Sequence, residues 1–162
     1  METTDTVKKY STMIAWGVGL GLGGYFAYKI YKKWKSDQDL AKTQKDLETL
    51  SAQGVKPTYL PSNYKVLANT IKQACYGYGT DEAAIYSVFN QMKNTADVLS
   101  LYNAFGIYQY PCNAAEQPLS TALGQKVCGS GDLGELLTSE LDSSEMKKIN
   151  DILAAKKINY KF

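Results

Sequence analysis

Between Lys9 and Lys29 the chain runs for nineteen residues, Tyr10 to Tyr28, without a charged side chain. Such a run leaves few structural choices. Inside a bilayer every backbone N–H and C=O needs a partner, and a helix supplies those partners within one segment. At about 1.5 Å per residue the run makes a helix of about 28 Å, close to the hydrocarbon thickness of a bilayer. Tyr10, Trp16, Tyr25, Tyr28, Tyr31 and Trp34 add aromatic rings, several at the depth where such rings favour the membrane–water interface. A cleavable signal peptide is the competing reading. Small residues are present, but no Ala-x-Ala-like site follows the apolar run, and lysines and tyrosines come instead. The expectation is an uncleaved transmembrane helix over 10–28 behind a short tail, 1–9.

Five glycines lie in this segment. Gly17 with Gly21, and Gly19 with Gly23, form small-xxx-small pairs that allow two helix backbones to approach closely. Self-association through them is one expectation, and a helix that is merely glycine-rich is the other. Orientation follows from lysine asymmetry. Lys29, Lys32, Lys33 and Lys35 crowd one flank, whereas Lys8 and Lys9 on the other stand near Glu2 and Asp5. Positive-inside reasoning places residues 29–162 in the cytoplasm or in the interior of a membrane-containing virion. The same four lysines are candidate contacts for anionic lipid headgroups.

Beyond the anchor, 29–54 reads as a basic juxtamembrane segment and a helical stalk. Ser36 and Asp37 are its expected start, Leu40, Leu47 and Leu50 form a thin apolar stripe, and Gly54 ends it. The stretch 55–61, with Pro57 and Pro61, reads as a linker. A globular domain of about 100 residues, 62–162, follows.

The side-chain inventory excludes several chemistries. The chain has no histidine, so histidine triads, histidine-ligated zinc and Cys–His nucleophiles are out. There is no phosphate-binding loop, because Gly17–Gly24 sits in the apolar run and not between a strand and a helix. All 18 basic residues are lysines and the net charge is +2, which argues against specific nucleic-acid recognition. Cys112 and Cys128 are placed to close a loop, but the cytoplasmic orientation makes free thiols the expectation. Cys75 reads as a small packing residue. No catalytic residues are assigned.

Four stretches within residues 62–162 carry helical periodicity, so the expected fold class is all-α. Tyr64, Leu67, Ile71 and Ala74 mark one face, and Ile85, Val88, Phe89 and Met92 another. Thr80 is the expected N-cap of the second of these helices, with Asp81 and Glu82 in its first turn. Thr95 is the expected cap of a third, which carries Val98, Leu99, Leu101, Tyr102 and Phe105 and stops at Gly106. Asp142-Ser143-Ser144-Glu145 is a capping-box variant leading into Met146, Ile149, Ile152 and Leu153.

Two short segments concentrate the chemistry: Gly77-Tyr78-Gly79-Thr80-Asp81-Glu82 and Ser139-Glu140-Leu141. Glycines on both sides of one residue permit backbone angles that bring carbonyls toward one point. Carbonyl oxygens with a carboxylate suit a hard cation such as Ca²⁺. With their flanking helices, from Ile71-Lys72-Gln73-Ala74-Cys75-Tyr76 to Asp132–Leu141 and Asp142–Ala155, these segments resemble one annexin repeat over residues 64–155. The sequence departs from that family's pattern in an insertion at 107–131, whose Tyr108, Tyr110, Pro111 and Pro118 suit a packed cover or a binding loop.

The resemblance implies a five-helix bundle and a Ca²⁺ site. The carbonyls of Cys75, Gly77 and Gly79 would converge, Glu140 would close the site, and Thr80 and Glu82 would correspond to a secondary position. So few carboxylates imply weak affinity, roughly 10⁻⁴–10⁻³ M. The alternative is a plain helix-to-helix turn with Thr80 as cap and Glu140 in solvent. Annexins pack several repeats together, so a lone one implies that the insertion or other copies cover its faces.

Together these readings give a non-enzymatic single-pass membrane protein: a transmembrane helix, a helical stalk and an annexin-repeat-like bundle. Its expected role is structural, at a bacterial envelope or a virion membrane. Expected partners are the lipid membrane and further copies or other membrane or virion proteins, with no nucleic acid. A holin-like lysis protein is the alternative from another class, and an envelope glycan hydrolase using Glu82 and Glu140 is a third.

Overall fold

The computed structural model describes residues 22–76, 79–111 and 127–162. Most of the expected anchor, with Gly17, Gly19 and Gly21, lies outside the described residues, as do Gly77 and the middle of the insertion. Among the described residues no helix is long and apolar enough to cross a membrane.

The chain is mainly helical. Helix α1 spans Leu22–Ala52, α2 Pro61–Ala74, α3 Glu82–Gln91, α4 Thr95–Phe105, α5 Leu133–Glu140 and α6 Ser143–Ala155. Strands β1, Tyr108–Pro111, and β2, Val127–Gly131, pair in a two-stranded sheet. The fold is thus mostly helical, as expected of an all-α chain, with one short sheet added among the described residues. The ends of the insertion carry Tyr108, Tyr110 and Val127, residue types that favour extended backbone.

Gln38–Tyr108 and Gly131–Phe162 form one compact unit, and the described residues outside those spans belong to another. In the first unit α3 and α4 both pack on α2, and α6 packs on α3. Tyr64, Ala68, Ile71 and Ala74 of α2 are buried, as are Ile85, Val88 and Phe89 of α3. Helix α4 is buried on more than one face, through Val98, Leu99, Leu101, Tyr102 and Phe105, as expected of a helix at the centre of a core. Leu133, Leu136 and Leu137 of α5 and Ile149 and Leu153 of α6 complete it. The Phe162 ring meets Phe89 edge to face at 5.3 Å, and the Asn150 side chain bonds both the N–H and the C=O of Phe162 at 2.9 and 3.2 Å.

Three boundary expectations are corrected. Helix α1 does not start at Ser36 but runs unbroken from Leu22, because nothing in the lysine-rich stretch 29–35 opposes helix. Pro61 is not the end of a linker. It opens α2, where its fixed φ and missing N–H cost nothing. Asn94, not Thr95, caps α4, its side chain accepting the Asp97 N–H at 2.9 Å. The remaining signals hold. Gly106 ends α4 at φ +63°, a region that favours glycine, and Asp142 with Glu145 forms a complete capping box on α6.

The stretch before Pro61 is pinned to the core by one carboxylate. Asp97 is fully buried and accepts four hydrogen bonds: from the Thr58 N–H at 2.6 Å, the Thr58 hydroxyl at 3.0 Å, the Tyr64 hydroxyl at 2.5 Å and the Lys93 N–H at 2.8 Å. Asn94 adds a bond to the Lys56 carbonyl at 3.1 Å, and the Tyr59 hydroxyl one to the Gln91 carbonyl at 2.9 Å. Burial alone would raise the Asp97 pKa, but the donors from Thr58, Tyr64 and Lys93 outweigh it and hold the carboxyl below its usual range.

Candidate functional site

The turn between α2 and α3 is closed by a backbone bond from the Asp81 N–H to the Ala74 carbonyl at 2.9 Å. Gly79 is exposed and takes φ +80°, which a side chain would strain. The cap of α3 is Asp81, whose carboxylate accepts the Ala84 N–H at 2.9 Å. This corrects Thr80 as the cap. Both residues suit that role, and the i to i+3 spacing to Ala84 selects Asp81.

The Thr80 hydroxyl is thereby left for another partner. It donates to Glu140 Oε2 at 3.1 Å, sixty residues along the chain. Glu140 is the last residue of α5 and is exposed. Its charge also reaches Cys75. Burial first, and the Glu140 carboxylate second, push the Cys75 thiol up to about 12. Cys75, Thr80 and Glu140 therefore lie at one edge of the domain, with Gly79 in the same turn.

Glu82 stands apart from that pair. It opens α3, and no hydrogen bond among the described residues joins it to Thr80 or Glu140. Its charge acts on Tyr86, whose pKa is raised by burial and then by Glu145, Glu82 and Asp142. The Lys148 ammonium sits 4.2 Å from the centroid of the Tyr86 ring. The charges of Glu145, Glu82 and Asp142 thus all bear on the Tyr86 hydroxyl.

Among the described residues no three His, Cys, Asp or Glu side chains stand together as a metal cage. The expected arrangement asks less of side chains. One exposed carboxylate and one hydroxyl face a glycine turn, and the rest of the shell would be carbonyl and water oxygens. The residues present fit a weakly held hard cation. Among the described residues they offer no zinc-type ligand set, since a single cysteine stands at this edge and the chain has no histidine.

The headgroup candidates fall on α1. Lys32, Lys33 and Lys35 lie along its described side chains, Lys29 falls where only the backbone is described, and Gly23 lies in the first turn. Comparison with protein-family models, with curated proteins and with solved structures finds no match for this chain.

Proposed function

We propose that this chain is a non-enzymatic, single-pass membrane protein whose helical domain is an interaction module of annexin-repeat type, drawing Ca²⁺ to the turn of Cys75, Gly77, Gly79 and Thr80 opposite Glu140. Its role is structural, at a bacterial envelope or virion membrane, with 10–28 as the anchor. The observation that carries this reading is the Glu140 carboxylate. It is exposed, touches the glycine turn through the Thr80 hydroxyl, and has oxygen capacity left for a cation. The turn's second carboxylate, Asp81, is engaged internally as the cap of α3.

The test is thermal. Calcium should raise the melting temperature of the full chain in detergent, because a ligand that binds only the folded state stabilises it, by about 1.4 kcal/mol at ten times its dissociation constant. Glu140→Gln should abolish that increment and leave the calcium-free melting temperature nearly unchanged. Glu135→Gln should keep the increment. An equal calcium shift in wild type and Glu140→Gln removes Glu140 as a ligand, and no shift at 10 mM calcium removes the cation site. The anchor is tested apart from this: deleting 10–28 should release the protein from membranes under alkaline extraction.

A further inference from the structure

Helix α1 carries an exposed face of aromatic and basic side chains. At the helical increment of about 100° per residue, Tyr28, Tyr31, Lys32, Trp34 and Lys35 share an arc of about 160°. Tyr28 and Tyr31 are 55% exposed and Trp34 38%. Ser36, outside that arc, is fully buried. The rings are organised with the ammonium groups: Tyr31 and Trp34 lie 6.3 Å apart, and Lys32 Nζ stands 5.4 Å from the Tyr28 ring centroid. No acidic residue occurs between Leu22 and Ser36.

Three large rings facing water are costly unless something covers them. Aromatic rings with a polar edge, interleaved with ammonium groups, are favoured where an apolar phase meets a layer of phosphates. The face begins where the uncharged run ends, and from Tyr28 to Lys35 it rises about 10 Å, enough to cross a headgroup layer. Its charge is of one sign and opposite to that of an anionic leaflet. We propose that this face is a headgroup-binding collar selective for anionic phospholipids. The proposal rests on the reading of 10–28 as a membrane anchor.

Trp16→Phe in the full chain leaves Trp34 as the sole tryptophan. The protein is reconstituted into vesicles of phosphatidylcholine and phosphatidylserine in which one lipid or the other carries bromine on its acyl chains. Trp34 fluorescence should be quenched by both, and phosphatidylserine should show an apparent preference of about fivefold for each contributing lysine. Replacing Lys32 and Lys35 together by Gln should lower the preference by about that factor for each lysine removed, while quenching persists. Raising the salt concentration should reduce the wild-type preference. Equal quenching by the two lipids overturns the selectivity. Absence of quenching by either, in protein that survives alkaline extraction, overturns the collar and leaves the anchor standing, with a protein surface on that face instead. Loss of the protein on alkaline extraction counts against the anchor alone, and Trp34 quenching at neutral pH then decides for or against a peripheral collar.

Discussion

Asp97 and Glu140 are both carboxylates placed where two stretches of chain meet, and they are put to opposite uses. Asp97 is buried at the start of α4 and its two oxygens are saturated by Thr58, Tyr64 and Lys93. Glu140 is exposed at the end of α5 and meets one hydroxyl, that of Thr80. A saturated buried carboxylate fixes geometry, because each donor lost leaves another polar group without a partner. An exposed carboxylate with one neutral donor contributes little to stability and keeps its oxygens for a ligand. The acid that ties the stretch before Pro61 to the core is therefore the structural one, and the acid beside the glycine turn is the one open to chemistry.

That contrast predicts very unequal costs. Asp97→Ala should destabilise the full chain by about 3 kcal/mol in denaturant unfolding, since bonds to a charged acceptor are lost and their donors stay partly buried. The pH dependence follows from the lowered pKa of Asp97. Its contribution is complete above the unfolded carboxylate value and is lost as pH falls through the folded value. The gap between wild type and Asp97→Ala should therefore narrow under acid. A gap independent of pH from 7 to 3 would show that the packing of α4, and not the charge, sets the cost.

Tyr64→Phe is the next smaller break in the same corner. It removes one donor to Asp97, at 2.5 Å, and the oxygen that accepts the Tyr59 N–H at 3.2 Å, while keeping the ring in the core. We expect a loss of about 1.5 kcal/mol, measured the same way. The double variant with Asp97→Ala should cost less than the sum of the two, because both remove one interaction. Full additivity would mean that the Tyr64 hydroxyl matters through Tyr59 and not through Asp97.

The two acids also differed in how far the sequence exposes them. Glu140 is visible because it closes a short apolar helix opposite a glycine-rich turn; α2, α3, α4 and α6 follow from periodicity and caps, and α5 from the resemblance alone. Asp97 is not visible as a hub. Its acceptor role depends on Thr58, thirty-nine residues upstream, in a stretch whose prolines read as loose chain. Pro61 is ambiguous for the same reason: its ring ends one element and opens the next with equal ease. Caps shifted by one residue, from Thr80 to Asp81 and from Thr95 to Asn94, because adjacent cap-forming residues differ only in which backbone N–H they reach. The pairing of β1 with β2 was hidden by the long separation in sequence between Pro111 and Val127, which offers no short hairpin signal. Nor does the sequence reveal that Tyr28, Tyr31 and Trp34 stay uncovered, which depends on what packs around α1.

The smallest expected effect bears most directly on Glu140. Its carboxylate raises the Cys75 pKa, second to burial, so Glu140→Gln should lower that pKa and increase the thiolate fraction. In a full chain carrying Cys112→Ser and Cys128→Ser, alkylation of Cys75 near pH 8.5 should accelerate roughly twofold in Glu140→Gln, with no loss of stability to expose the thiol by unfolding. Calcium should accelerate the reaction in the same direction in the Glu140-containing chain, because a bound cation offsets the field that suppresses ionisation. It should do nothing in Glu140→Gln. Acceleration by the substitution without acceleration by calcium would leave Glu140 beside the turn but not as a cation ligand. Slower alkylation in Glu140→Gln would place the carboxylate's influence on Cys75 in packing and not in charge, and would remove the electrostatic link between the two ends of the site.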